Sequence, residues 1–577
     1  MSEYVNGVRS KLIAAGSIEG CNQGVRKNLD IKDCVIANSL FLDWLVDNGL
    51  RVRNGATLDL VTISFAYGTK SHEEDRKHIE TMIKSCDPAD TDRLSRLNDV
   101  ASDIEANKDK YKKITKEDLR IKYYTEGVPI TWRFYNKDGT LRREETIRYR
   151  MLVRTAGKAK AGKCTFIRED LYDKALDFIR MGIVLPHENA PIVEIGVYSS
   201  LITSSIVGRI QIPPEDILIL DDVDVPFRRN VVSIETNERN ECVAVHRDDY
   251  ELKCCLFDGQ AIIDSSIFPQ WAEGYVLLRH HFTKCAAFCG HIQKYFKDYC
   301  DEHGIDYETF QLKDRWGNLH LAKDIKLITT TNATKWIKFN VSYEYWCKKV
   351  HENGCLFGIV KTAHQSKLGD VQQMSYQMIN TLGIDSMHAV MEKTATYVNQ
   401  LQTDDQVFMQ YLERTKNFSN DHEVLIALVK HNSDFVKSEY FKERRAKIIQ
   451  GYITNMKTGK LIQDADNLVI AGNLYGMLMH SVGLDPTNDP TFTQEENAVQ
   501  CYTERFGDGE YLADFRSPHN SSNNIGYCHN VYHKYFKEYF TLGKQIIVVN
   551  LNGTDFQDRR NGSDQDSLIW VSVQRCA

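Results

Sequence analysis

Asn561-Gly562-Ser563-Asp564-Gln565-Asp566-Ser567 follows the apolar run Ile546 to Leu551 and a polar connection, close to the last residue, Ala577. Asp564 and Asp566 are two apart, so on an extended backbone they face the same way. Carboxylate oxygens are the ligands Mg²⁺ prefers, and one or two from a protein suffice. The same composition also suits a surface Asx turn, and a lone Asp-x-Asp is a weak motif. Spacing therefore leaves a metal loop and a plain turn both open. The choice between them depends on what precedes the stretch.

The bulk composition narrows the classes. The chain has 577 residues, 42% apolar and 26% charged, enough for large buried cores and roughly three to five domains. Its net charge is −7, from 72 Lys and Arg against 79 Asp and Glu. A nucleic-acid partner would therefore need local basic patches rather than a global positive field. The 15 cysteines show no repeated Cys-x-x-Cys spacing, which reads as reduced, mostly buried thiols in a reducing compartment. No basic-then-apolar leader opens the chain, and no apolar run approaches the roughly 20 residues of a membrane helix. The expectation is a cytoplasmic protein without a membrane partner.

Along the chain, residues 1 to about 86 mix short strands such as Leu58 to Ala66 with turns, and a charged, solvated helix is expected over Asp87 to Lys113. Asp138-Gly139 between alternating runs predicts a hairpin of Val128 to Tyr135 with Thr146 to Val153. Eight basic residues from Arg142 to Lys163 face only Glu144 and Glu145. This is either a phosphate-facing surface or a sheet edge kept basic against pairing. Gly157 to Cys164 nearly matches the phosphate-binding P-loop, but Cys164 replaces the Mg²⁺-binding hydroxyl. A nucleotide-binding switch is thus a minor alternative.

Short β runs are expected from Pro191 to Phe257, then the Asp258-Gly259 turn. The strand Gly274 to Lys284 is read as running into a helix over Cys285 to Cys300, with Lys284 set against the helix macrodipole. His280-His281 lacks any metal-ligand spacing. Lys335, Trp336 and Lys338 interleave charge with an aromatic, a weak single-strand-binding pattern. Helices are expected over most of 370 to 482, including Val371 to Met378, and again over 494 to 506.

Taken in order, these segments resemble the two-barrel RNA-dependent RNA polymerases, the silencing-type enzymes and their bacterial and phage relatives. The carriers are Asp258-Gly259-Gln260-Ala261, Arg279 to Lys284, a Lys-containing strand at Lys361, Arg516-Ser517-Pro518-His519-Asn520, and Gly562 to Leu568. The set spans roughly residues 250 to 568 and looks closer to the bacterial or phage branch. The resemblance implies a mixed α/β (α+β) fold built on paired double-psi β-barrels. It implies Mg²⁺ or Mn²⁺ held by Asp564 and Asp566, which activates a primer 3′-hydroxyl for in-line attack on an NTP. Lys284 and Lys361 would neutralise the triphosphate. Arg279, Arg516, His519, Asp258 and Gly259 would lie near RNA or DNA template, primer or nucleotide.

Two departures accompany it. The family has a third aspartate where this chain has Leu568, and family members continue well beyond the position of Ala577. Both begin at one residue, so the expectation is a truncated or frame-shifted product with an incomplete second barrel and impaired activity. A nucleic-acid-binding protein without catalysis is the second class. The expected organisation is an N-terminal region over 1–150, a β-rich region with the first barrel over 151–365, a helical insertion over 366–490, and a partial second barrel over 491–577.

Overall fold

The computed structural model describes residues 7–153, 162–183, 192–369, 371–374, 383–417, 420–516, 524–560, 562 and 570–575. The chain divides into two compact units. The first comprises residues 1–211, 279–283 and 335–360, and the second holds the rest.

The first unit is built on a six-stranded sheet. Its strands are β1 (Val8–Ala14), β2 (Ile31–Ile36), β3 (Ala56–Ser64), β4 (Val128–Tyr135), β5 (Leu141–Val153) and β6 (Lys163–Arg168), in the order β2-β1-β3-β6-β5-β4. β1 and β3 are parallel, and the other neighbours are antiparallel. The expected hairpin is β4–β5, with Val128 opposite Tyr149 and Gly139 at a φ of +84° in the turn, a conformation that favours glycine. Val128, Ile130 and Trp132 alternate inward from β4 and pack with Ile13, Val61, Tyr149 and Phe166. The sheet runs through β6, so the boundary expected at 150 falls within β5. The expected solvated helix is Thr91–Ala106, capped by Asp90 and burying only Leu97 and Ile104.

Lys163 and Cys164 open β6, and the next helix begins at Glu169. A P-loop lysine sits at a helix start, so this part of the near-match has the wrong local structure; residues 157–161 of it lie outside the described residues. Residues 192–199, expected as strand, form a helix, Ile192–Ser199. The unit also holds the antiparallel pair of β7 (Gly208–Gln211) with residues 356–359.

In the second unit the first barrel-type sheet has the order β12-β13-β11-β16-β8. These strands are β8 (Ile217–Leu220), β11 (Gln260–Asp264), β12 (Tyr275–His280), β13 (Thr283–Gly290) and β16 (Leu327–Thr330). A long ribbon, β9 (Asp224–Thr236) with β10 (Cys242–Cys255), precedes β11. A small hairpin, β14 (Gln311–Lys313) with β15 (Leu319–Leu321), lies before β16. Lys284 is in the body of β13, and the helix that follows is Ile292–His303. The expected helix start at Cys285 is therefore corrected. Cys285 to Cys289 are small or apolar and fully buried, as a strand covered on both faces allows.

Strand β17 (Leu356–Thr362) carries Lys361. Residues 372–374, read as helix, form β18 (Gln372–Met374), paired with β19 (Leu461–Gln463). Between them run the helices Met387–Thr403, Asp405–Thr415, His422–His431 and Glu439–Lys457. They share a core of Leu401, Phe408, Leu412, Leu425, Phe441 and Ile449.

The second barrel starts earlier than expected, at β20 (Asp466–Ala471). It continues with β21 (Val499–Tyr502), β22 (Tyr511–Phe515), β23 (Gly526–Asn530), β24 (Ile546–Val549) and β25 (Trp570–Arg575). The order β20-β24-β21-β23-β22-β25 closes on itself, which removes both sheet edges. Residues 494–506, expected as helix, hold β21 instead, paired with β23 and β24. The incompleteness expected of this barrel is also corrected. The last residues supply the closing strand, with β25 antiparallel to both β20 and β22.

Candidate active site

The route to the Gly-Ser-Asp-x-Asp segment begins at β24. Ile546 to Val549 are all buried, parallel to β20 and antiparallel to β21. Such a strand is rigid and hands its direction to whatever follows. Asn550 and Leu551 are fixed next: the Leu551 N–H donates to Asn473 Oδ1 at 2.8 Å, and Asn473 Nδ2 donates to Asn550 Oδ1 at 3.3 Å. Asn473 also reaches Asp489 Oδ2 at 3.3 Å. The other Asp489 oxygen receives the Thr491 N–H at 2.9 Å and its hydroxyl at 2.7 Å. Burial pushes the Asp489 carboxyl up despite these donors.

After a turn, the short helix Phe556–Arg559 leads to Arg560 and Gly562. Arg560 is 1% exposed and Asp514, from β22, is 0% exposed. Their side chains form a two-point ion pair, the fork geometry that favours arginine over lysine. The guanidinium also lies 3.4 Å from the Phe556 ring centroid and donates to the Phe556 carbonyl at 2.8 Å. Arg516 donates to the Arg560 carbonyl, and Asn524 donates to the Arg559 carbonyl at 2.6 Å. Gly526 leaves the space: a Cβ there would lie 1.5 Å from an Arg560 nitrogen. Gly562 has a φ of +62°, and its N–H donates to the Gln557 carbonyl at 3.0 Å. The chain is thus braced on all sides up to the glycine that opens the aspartate segment.

The Asp258-Gly259 turn belongs to the same unit. Gly259 has a φ of +77°, which permits the tight bend from β10 into β11. Cys254, at the end of β10, donates to Gln557 Oε1 at 3.1 Å, tying this turn's strand to the Phe556–Arg559 helix. Burial first, then Asp558, Asp224, Asp258 and Asp555, push the Cys254 thiol up to about 12. Burial and Asp555 likewise push the Asp558 carboxyl up. Gln260 Oε1 accepts the Gly472 N–H at 2.8 Å. Gly472 approaches so closely that a Cβ would meet the Leu256 carbonyl at 2.3 Å.

The structure places the expected residues as follows. Asp258, Gly259, Lys284, Lys361 and Arg516 lie in the second unit. Lys284 is on β13 and Lys361 on β17, both partly buried, and burial holds the Lys361 ammonium below the usual lysine range. Arg279 is on β12, in the portion assigned to the first unit. Asp564, Asp566 and His519, with Leu568, lie outside the described residues. Among the described residues no group of three His, Cys, Asp or Glu side chains could hold a metal ion, so the metal reading rests on the donor chemistry of Asp564 and Asp566. Sequence reasoning missed Arg560, Asp514, Asn473 and Asp489. Arg560 was within reach, two residues ahead of the motif glycine; its partner Asp514 is 46 residues upstream and carried no local signal.

No family profile matches the chain. The chain is 23% identical over 390 residues to the DNA-directed RNA polymerase YonO of Bacillus phage SPbeta, an alignment covering 64% of this chain and 42% of that protein. Its fold is similar to that of the RNA-dependent RNA polymerase QDE-1 from Thielavia terrestris, with a TM-score of 0.51 and 12% identity, over 98% of this chain and 53% of that one. The chain has the double-psi-barrel polymerase fold, as its likeness to that structure shows. It spans about half the length of these relatives or less.

Proposed function

We propose that the chain is a template-directed nucleotidyltransferase that adds nucleoside monophosphates from NTPs to an RNA 3′ end. The observation that carries this reading is the braced path from β24 through Arg560 to Gly562. Catalysis that works by positioning and charge stabilisation needs such preorganisation. Asp564 and Asp566 would hold Mg²⁺ or Mn²⁺, which lowers the pKa of the primer hydroxyl and stabilises the displaced oxygens. Lys284 and Lys361 neutralise triphosphate charge, and the lowered Lys361 value marks an ammonium that gains from an anionic partner. Asp258 and Gly259 shape the turn beside the loop helix. Arg279 and His519 contact template, primer or nucleotide, and Arg516 does so from its brace on Arg560.

One similar protein is a DNA-directed RNA polymerase and the other an RNA-dependent RNA polymerase, so the template is RNA or DNA. Primer extension on both, with Mg²⁺ or Mn²⁺, tests the reading. Asp564→Ala and Lys284→Ala each abolish extension and leave the melting curve in place; full activity in either variant overturns the assignment. Leu568, where the resemblance calls for a third carboxylate, favours a second reading: nucleic-acid binding without incorporation. Binding in the absence of extension on every template and metal selects it.

A further inference from the structure

We propose that the first unit carries its own binding groove for single-stranded nucleic acid, lined by strands of its six-stranded sheet and the segment leading into β3. A cavity of about 670 Å³ lies over β1, β3 and β5, within the roughly 300–1,000 Å³ range of ligand pockets. Arg9, Lys11, Arg51, Arg53, Arg142 and Arg143 line it. Only Asp33, Asp59 and Glu145 oppose them there, an excess of three positive charges in a chain of net charge −7.

The groove is organised rather than merely basic. Arg9 and Lys11 share a face of β1, being two apart. Asp59, 1% exposed, holds Arg51 through its backbone N–H at 2.7 Å and its guanidinium at 2.6 Å, and it also takes Arg168 at 2.9 Å. Arg143 pairs with Glu145 and sits 5.3 Å from the ring centroid of Phe134. Among the described residues, no carboxylate pairs with Arg53 or Arg142. These two supply charge not already spent inside the protein, and Phe134 supplies a ring for a base. A positive groove with an aromatic platform is how single strands are held without sequence readout. Nucleic acid is preferred over another polyanion because of the polymerase reading, on which this inference rests.

The test uses the full chain and a fluorescein-labelled single-stranded oligoribonucleotide, with anisotropy titrations at several salt concentrations. Arg53→Ala with Arg142→Ala is expected to weaken binding at least about tenfold. Each lost phosphate contact removes about 0.7 from the slope of log affinity on log salt, so two remove about 1.4. Arg53→Lys with Arg142→Lys, which keeps the charge, restores most of both. Wild-type affinity and slope in the alanine pair, no RNA binding by the parent chain, or preference for polyglutamate over RNA each overturns the proposal. Asp564→Ala separates the two readings. Loss of extension with intact Arg53- and Arg142-dependent binding leaves the groove standing, whatever the parent chain's catalytic activity. Normal extension at saturating template in the alanine pair, with unchanged RNA affinity, removes the groove alone.

Discussion

Replacing Arg560 by methionine leaves the Asp514 carboxylate with 0% exposure and, among the described residues, the Cys528 thiol at 3.1 Å as its remaining side-chain donor. Removing one partner of a buried ion pair costs about 3–5 kcal/mol, because the other charge stays desolvated. At about 2–4 °C per kcal/mol for domains of this size, the barrel's melting transition should fall by about 6–20 °C. The double replacement Arg560→Met with Asp514→Leu removes both charges, and such apolar swaps are often neutral or stabilising. It should recover most of the lost stability. Extension should not recover, because methionine cannot grip β22 by a two-point pair and the loop loses its fixed exit toward Gly562. Thermal unfolding followed by circular dichroism, alongside primer extension, reads both effects. An Arg560→Met melting point within about 2 °C of the parent, where a lost buried pair requires about 6 °C or more, would refute the burial argument. A double variant with full extension would show that the pair is scaffolding without a role in positioning.

Gly526→Ala should reproduce the Arg560→Met loss in both stability and extension, since its Cβ would occupy the Arg560 guanidinium position; an unperturbed melting curve would show that the guanidinium can move at little cost. Gln260→Leu leaves the Gly472 N–H without the acceptor it has at 2.8 Å, costing about 1–3 kcal/mol, and urea unfolding checks this. Burial lowers the His281 imidazole from 6.5 to about 4. The folded state therefore prefers the neutral ring, and stability present above pH 6.5 is lost as the pH falls toward 4. The loss is about 3 kcal/mol at 1.36 kcal/mol per unit. His280 shifts in the same direction. His281→Leu should flatten the His281 share of that acid limb in denaturant titrations at stepped pH; an unchanged slope would place the proton uptake elsewhere.

The sequence by itself determined the local elements that rest on short-range rules. Asp138-Gly139 dictated the β4–β5 hairpin because few residues other than glycine tolerate that turn. The apolar run at Ile546 to Val549 dictated a buried strand, and the apolar periodicity beyond Met387 dictated helices. The resemblance carried by Asp258-Gly259, Lys284, Arg516 and Gly562 pointed to the polymerase fold. Tertiary structure decided what depends on partners distant in the chain. Cys285 to Gly290 is strand because parallel pairing with β11 and burial override a helical reading, and Val499 to Tyr502 is strand because β23 and β24 flank it. Closure of the second barrel was invisible locally, since Trp570 to Arg575 becomes a barrel strand only when β20 and β22 are both there to pair with it. The same holds for the site. The glycine-serine-aspartate segment could be read along the chain, but the Arg560–Asp514 pair that braces the backbone ahead of Gly562 joins residues 46 apart in sequence, and only the folded barrel brings those charges together and removes the water that would otherwise screen them.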